Sequence, residues 1–366
     1  MTSRSAVLYK PNTPFVVETL ELEPPRRGEA LIKVAATGVC HSDWHLATGA
    51  TKHPMPVVVG HEGAGVIESV GEGVTRVKVG DHVALNWAPN CGTCFYCTNG
   101  RPSLCSTYTE PIWAGTMMDG TTRFSKNGQR YYHFSALACF AERVVVPQEC
   151  CVTLPKELPL PVAALIGCAV TTGVGAVLNT ARVKQGSSVV VFGAGGVGLS
   201  IIMGAKLAGA RTIIAIDRHE AKRTIAADLG ATNVLINPAD AVAEIKNLTD
   251  GRGADYVFEA IGIPALQELS LHAARPGGVI VLAGVSPMGS STNLPGAIIT
   301  RQEKTIMGSY YGTANTAHDF PHYAEMYLQG KLPLDRMISK TYPLEQINEA
   351  YAEMLSGATA RGVVVF

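Results

Sequence analysis

The sequence has no run of like charge, no repeated or low-complexity stretch, and no long uncharged segment free of glycine and proline. Lysine plus arginine, 30 residues, balances aspartate plus glutamate, 30 residues. Neither nucleic acid nor an anionic membrane therefore has an electrostatic footing, and a small, roughly neutral ligand fits better. The uncharged stretches from Leu158 to Ala181 and from Gly186 to Ala205 are broken by glycine, the first also by proline, and read as buried soluble structure. The opening MTSRSAVLYKPNTPF lacks the apolar core of a secretory signal, so a cytoplasmic location with reduced thiols is expected.

At 366 residues the chain has material for about two domains. From Ala6 to about Pro155, short β-rich runs (LIKVAATGV, GAGVIESVG, DHVALNW, ERVVVP) alternate with turn residues, which predicts a compact β-barrel-like domain. From about Ser187, apolar strands alternate with helical patterns: SVVVF, TIIAID, NVLIN, DYVFEAIG, GVIVLAG and TIMGSY. Six such strands predict an α/β domain, a doubly wound parallel sheet with helices on both faces. The C-terminal helix and strand are surplus to that unit and are expected to return to the first domain.

Gly193-Ala-Gly195-Gly196-Val197-Gly198 follows SVVVF and opens a helix, and Asp217 ends the next strand nineteen residues past Gly198. Glycines there let backbone N–H groups and a helix N-terminus meet a pyrophosphate, while the carboxylate accepts hydrogen bonds from a ribose. Asp217 favours NAD over NADP, although the neighbouring Arg218 weakens that preference.

Cys91, Cys94, Cys97 and Cys105 lie within fifteen residues as C-x2-C-x2-C-x7-C, a pattern open to two disulfides, an iron–sulfur site or a zinc site. Cys40, His61 and Cys168 are scattered, and taken singly read as ordinary core residues. Cys, His and Cys with a fourth position open is a set that catalytic zinc uses, and sequence spacing alone does not show that these three converge.

GVCHSDWH, GHEGAG, the four-cysteine lobe and GAGGVG, in this order and spacing, resemble the zinc-dependent medium-chain alcohol dehydrogenases over essentially the whole chain, down to Arg361-Gly-Val-Val-Val-Phe. The resemblance implies a GroES-like catalytic domain of residues 1–169 and 311–366 around a Rossmann NAD-binding domain of residues 170–310. It implies two zinc ions per chain: a structural one on Cys91, Cys94, Cys97 and Cys105, and a catalytic one on Cys40, His61 and Cys168. Cys139, Cys150 and Cys151 are left as packing residues. By the same resemblance, Asp43 fixes the His61 ring, Glu62 sits near the metal to assist ligand exchange, and Ser42 takes the alcohol proton toward His45. His41, Thr172, Lys222 and Arg361 join Gly193, Gly195, Gly196, Val197, Gly198 and Asp217 as cofactor contacts.

Trp87, Glu110, Phe134 and Tyr310 match positions lining the substrate pocket. Thr51 and Thr109 stand where the glutathione-dependent formaldehyde branch carries an acidic residue and an arginine, which disfavours that substrate class. The expected activity is hydride transfer between a primary alcohol/aldehyde pair and NAD. The alternatives are a glutathione-adduct (S-hydroxymethylglutathione) dehydrogenase or a non-catalytic nucleotide-binding protein. TIMGSYYG, read as an exposed edge strand, predicts a homodimer, with a tetramer as the alternative.

Overall fold

The structure, a computed structural model, describes residues 1–236, 240–357 and 359–366. Asn237, the last residue of the predicted strand NVLIN, and Ala358 of the predicted tail lie outside these. The chain divides into two compact units. The first comprises Met1–Cys168, Asn315–Ser356 and Arg361–Phe366; the second comprises Ala169–Ala314 and Gly357–Ala360. The sequence placed the breaks after residues 169 and 310, whereas in the structure the chain changes unit after Cys168 and after Ala314, and again on either side of Gly357–Ala360.

In the first unit, Thr2–Leu8, Val16–Leu22, Phe124–Lys126, Gln129–His133 and Val57–Val58 close into a small barrel. A seven-stranded sheet accompanies it, with Glu29–Gly38 at its centre. That strand pairs antiparallel with Gly63–Val70, Arg143–Pro147 and the C-terminal Arg361–Val365. Its run of buried aliphatic residues, Ala30, Leu31, Ile32 and Val34, forms one core with Val144, Val145, Val146, Cys139, Cys150 and Cys151. Burial pushes all three of those thiols far above the ordinary cysteine range, as suits packing residues.

The second unit holds a six-stranded, all-parallel sheet. Across the sheet run Asn233–Leu235, Thr212–Ile216, Ser188–Phe192, Ala254–Glu259, Ala274–Leu282 and Thr305–Gly308. Numbered by sequence, that order is 3-2-1-4-5-6, which reverses direction at Ser188–Phe192 and opens a crevice beyond its carboxyl end. Helices cover both faces, so Val189, Val190 and Val191 are all fully buried and the strand reads as an unbroken apolar run.

One helix, Leu160–Ala181, is long and apolar enough to cross a membrane, but 89% of its apolar window is buried within the protein. Inside it, Ile166–Val170 winds as a π-helix, a local widening that carries Cys168.

Candidate active site and metal centres

Strand Glu29–Gly38 runs into Val39 and Cys40, and Cys40 forms the N-cap of helix His41–Ala47. His61 and Glu62 occupy the tight turn between Val57–Val58 and Gly63–Val70. That turn requires Gly60: its φ is 99°, and a Cβ there would lie 2.5 Å from the Phe140 nitrogen. The Gly60 N–H donates to Asp43 Oδ1 at 2.8 Å, tying helix to turn. Cys168 arrives from the π-helical segment. The ligand atoms of Cys40, His61, Glu62 and Cys168 all lie within 4.8 Å of one another.

The His61 ring is fully enclosed. Its Nδ1 lies 3.0 Å from Asp43 Oδ2, the Phe134 ring meets it edge-on at 5.6 Å and 89°, and its buried Nε2 has no hydrogen-bond partner among the described residues. A carboxylate on one ring nitrogen fixes the orientation and leaves the other lone pair for a metal. Two thiols, an imidazole and a carboxylate within this distance fit Zn²⁺, whose bonds of about 2.0–2.3 Å give tetrahedral edges of about 3.3–3.8 Å. Electrostatics agree with that fit. A hydrogen bond from Cys168, together with His61 and Arg361, holds Cys40 well below the ordinary thiol range, so it reaches the thiolate form that binds metal.

Glu62 is fully buried, and one of its carboxylate oxygens accepts a hydrogen bond from Arg361 Nη2. Gly38 makes room for the pair: a Cβ there would sit 2.1 Å from Glu62 Oε2 and 2.9 Å from Arg361 Nη2. Arg361 reaches this point because Arg361–Val365 pairs with Glu29–Gly38 and the Val39 N–H donates to the Gly362 carbonyl at 2.9 Å. The sequence suggested Arg361 for a pyrophosphate. In the structure its Nη2 donates to a Glu62 carboxylate oxygen, a partnership that no local sequence signal could reveal.

Ser42 and His45 are half-buried on helix His41–Ala47, three residues apart and so on one face. Ser42 Oγ lies 3.8 Å from Cys40 Sγ. His41 is exposed at the first helical position. Among the residues expected to line a pocket, Phe134 reaches the cluster, Trp87 is half-buried against the core, and Thr51 donates its N–H to the His45 carbonyl at 3.0 Å. Glu110 is exposed on helix Ser106–Ala114, and Thr109 on the same helix donates through Oγ1 to the Cys105 carbonyl. Tyr310, 41% exposed, belongs to the second unit, as does the buried Thr172.

The four-cysteine lobe is a second cluster with all four sulfur atoms within 4.8 Å of one another. Sγ separations are 4.0 Å for Cys91 and Cys97, 3.5 Å for Cys94 and Cys97, and 3.8 Å for Cys94 and Cys105. A tetrahedron of metal–sulfur bonds near 2.3 Å has an edge of about 3.8 Å, whereas a disulfide needs about 2.05 Å. The Thr93 and Cys94 backbone N–H groups donate to Cys91 Sγ at 3.4 and 3.3 Å, and the Cys91 N–H donates to Cys105 Sγ at 3.3 Å. Hydrogen bonds from Thr107 and Thr93 lower the Cys91 thiol to about 5, and the Cys97 backbone lowers Cys94 to about 7, while burial raises Cys97 to about 12. Four thiols at these separations could hold a zinc ion in a closed tetrahedral site.

In the second unit, the glycine loop follows Ser188–Phe192, and Gly195 caps the twelve-residue helix Gly196–Leu207. Gly198 packs against the start of the loop, where a Cβ would lie 1.8 Å from the Gly193 oxygen. The space before Gly195 is open, with nothing within 4 Å of a Cβ built there, so the helix N-terminus can receive an anionic ligand. Asp217 closes the loop: its Oδ2 accepts from the Ala194 N–H and its Oδ1 from the His219 N–H, both at 2.9 Å. Arg223 donates to the Asp217 and Arg218 carbonyls, and Lys222 sits half-buried on the same helix, Glu220–Leu229. These residues fit a dinucleotide.

Residues 26–156 match the alcohol dehydrogenase GroES-like domain, and residues 196–329 match the zinc-binding dehydrogenase domain. The NDMA-dependent alcohol dehydrogenase of Amycolatopsis methanolica is 40% identical over 368 residues, covering 100% of this chain and 99% of its own. An alcohol dehydrogenase zinc-binding domain protein from Burkholderia ambifaria superposes with a TM-score of 0.95 at 35% identity, covering 100% of this chain and 99% of its own. Benzyl alcohol dehydrogenase from Acinetobacter calcoaceticus gives 0.94 at 32% identity with the same coverage. With its GroES-like and Rossmann architecture and two zinc-compatible clusters, the chain is an oxidoreductase and belongs to the zinc-dependent medium-chain alcohol dehydrogenase family.

Proposed function

We propose that the protein oxidises primary alcohols to aldehydes, and reduces them back, with NAD as the hydride carrier and two zinc ions per chain. The observation that carries this reading is the convergence of the ligand atoms of Cys40, His61 and Cys168, all within 4.8 Å of one another. Zinc held there supplies Lewis acidity, which lowers the pKa of an alcohol brought to the site. Asp43 keeps the His61 ring in place. Ser42 Oγ accepts the alcohol proton, and His45, on the same helical face, passes it to solvent. The glycine loop and the first turn of Gly196–Leu207 hold the pyrophosphate, and Asp217 and Lys222 face the adenosine half. Thr172 supports the nicotinamide side and His41 the phosphates, while Thr51, Trp87, Phe134, Glu110 and Tyr310 delimit the substrate.

Nine free cysteines support residence in a reducing cytosol, and the edge strand Thr305–Gly308 supports pairing with a second copy. The test is a panel of aliphatic and aromatic primary alcohols assayed with NAD, with NADP and with NDMA as acceptor, alongside zinc analysis. NAD reduction with about two zinc ions per chain is the expected outcome. Turnover with NDMA and none with free NAD would replace NAD as the exchangeable acceptor. Formaldehyde oxidation that requires glutathione would replace the substrate class.

A further inference from the structure

The second unit has a cavity of about 540 Å³ remote from its glycine loop. It opens where strands Ala254–Glu259, Ala274–Leu282 and Thr305–Gly308 begin, between helices Ala241–Asn247, Pro264–Ala273 and Gly296–Arg301. The glycine loop follows the end of a parallel strand, so the two places lie on opposite edges of the sheet, about one strand length or ~17–20 Å apart.

Lys246, Arg252, His272 and Lys304 line the cavity, Leu269 and Ile298 add apolar wall, and no lining residue is acidic. Lys304 is buried: its Nζ donates to the Leu271 carbonyl and, at 2.7 Å, to the Ala274 carbonyl. Those bonds cap the end of helix Pro264–Ala273, a structural role for two of its three donors. Among the described residues the third has no acceptor. Lys246 stands close enough for its charge, after burial, to depress the Lys304 pKa. The side chains of Lys246 and His272 make no hydrogen bond or ion pair within the described residues. Arg252 donates to Asp250 Oδ2 at 2.9 Å, an exposed pair of little strength. Neighbouring cations without an acid between them repel one another, and an anion among them converts that repulsion into attraction.

We propose that this cavity is a second ligand site, for a small soluble polyanion of the organic phosphate class, with Lys246, Arg252 and His272 meeting its charge above Lys304. The volume suits a compact metabolite. A formal net charge of zero gives the chain no long-range field for nucleic acid, which favours a small occupant. The site is independent of the dehydrogenase reading, and failure of either leaves the other standing.

Isothermal titration of inorganic tripolyphosphate into the zinc-loaded protein tests it, with metal analysis afterwards to show that zinc is retained. One site with a Kd below about 1 mM at moderate salt is expected. The exposed double variant K246E/R252E should weaken it at least about tenfold without lowering the melting temperature, and Lys222→Glu, on the adenosine side of the glycine loop, should leave it unchanged. Absence of binding, equal binding by K246E/R252E, or loss of binding in Lys222→Glu would each overturn the proposal.

Discussion

Glu62 and Arg361, separated by 299 positions in the chain, form a buried ion pair beside Cys40, His61 and Cys168. The pair exists because Arg361–Val365 returns to strand Glu29–Gly38, and because residue 38 has no side chain. Burial pushes the Glu62 carboxyl up to about 8, well above the ordinary carboxylate range, and the Arg361 guanidinium beside it offsets only part of that rise.

Removing one partner strands the other. Arg361→Met should cost about 3 kcal/mol, read as a shift in the chemical denaturation midpoint, because the buried Glu62 carboxyl loses the guanidinium that hydrogen-bonds it. The double variant Glu62→Gln/Arg361→Met should recover part of that loss. Additive costs would show that the two side chains do not act as a pair.

The two cysteine clusters should separate cleanly by metal analysis. Cys40→Ser should lose about one zinc per chain and nearly all alcohol oxidation while keeping its melting temperature within a few degrees. Cys97→Ser should lose the other zinc and become thermally labile or aggregate, since the remaining thiols crowd together without a cation. Full activity in Cys40→Ser would remove it from the chemistry.

Asp217 has two duties, and one substitution should expose both. Its carboxylate holds the Ala194 and His219 N–H groups, and it faces the ribose in the proposed cofactor pose. Asp217→Gly should lower the NAD to NADP ratio of kcat/KM about a hundredfold, taking about 3 kcal/mol for the contact and the repulsion together. It should also lower the melting temperature, because the glycine loop loses its tether. An unchanged ratio would mean that the ribose is held elsewhere.

His133 should make the protein acid-sensitive. It is fully buried, and its Nε2 accepts the Arg123 N–H at 3.0 Å. Burial, with Arg123 and His53 adding repulsion, lowers its pKa to about 3 from an ordinary value of 6.5. The unfolded chain therefore binds a proton that the folded chain refuses. This contribution to stability is complete above about pH 6.5 and is lost progressively as pH falls toward 3, reaching about 2 kcal/mol at pH 5. Denaturation midpoints of the wild type and His133→Gln, measured at pH 7 and pH 5, check this: the variant should lose less on acidification. Equal losses would place the acid sensitivity in other groups.

The sequence alone determined the elements whose signal is local. Six apolar strands alternating with helices specified the parallel sheet, because strands buried on both faces must read as unbroken apolar runs. The glycine loop and Asp217 were legible because one turn and one strand end place them. The cysteine spacing marked the lobe, yet the choice among disulfides, iron–sulfur and zinc needed the resemblance, and the sulfur separations then matched a tetrahedral metal. Tertiary structure decided what distant segments share. Cys40, His61 and Cys168 carry no mark of convergence until strand pairing and the π-helical turn at Ile166–Val170 bring their ligand atoms together. Phe134 against His61, Gly38 beneath Glu62, and Arg361 paired with Glu62 were all invisible, because each contact is created by packing between segments far apart in the chain. Lys246, Arg252, His272 and Lys304 of the second cavity come from two helices and two loops, and only the folded sheet edge gathers them.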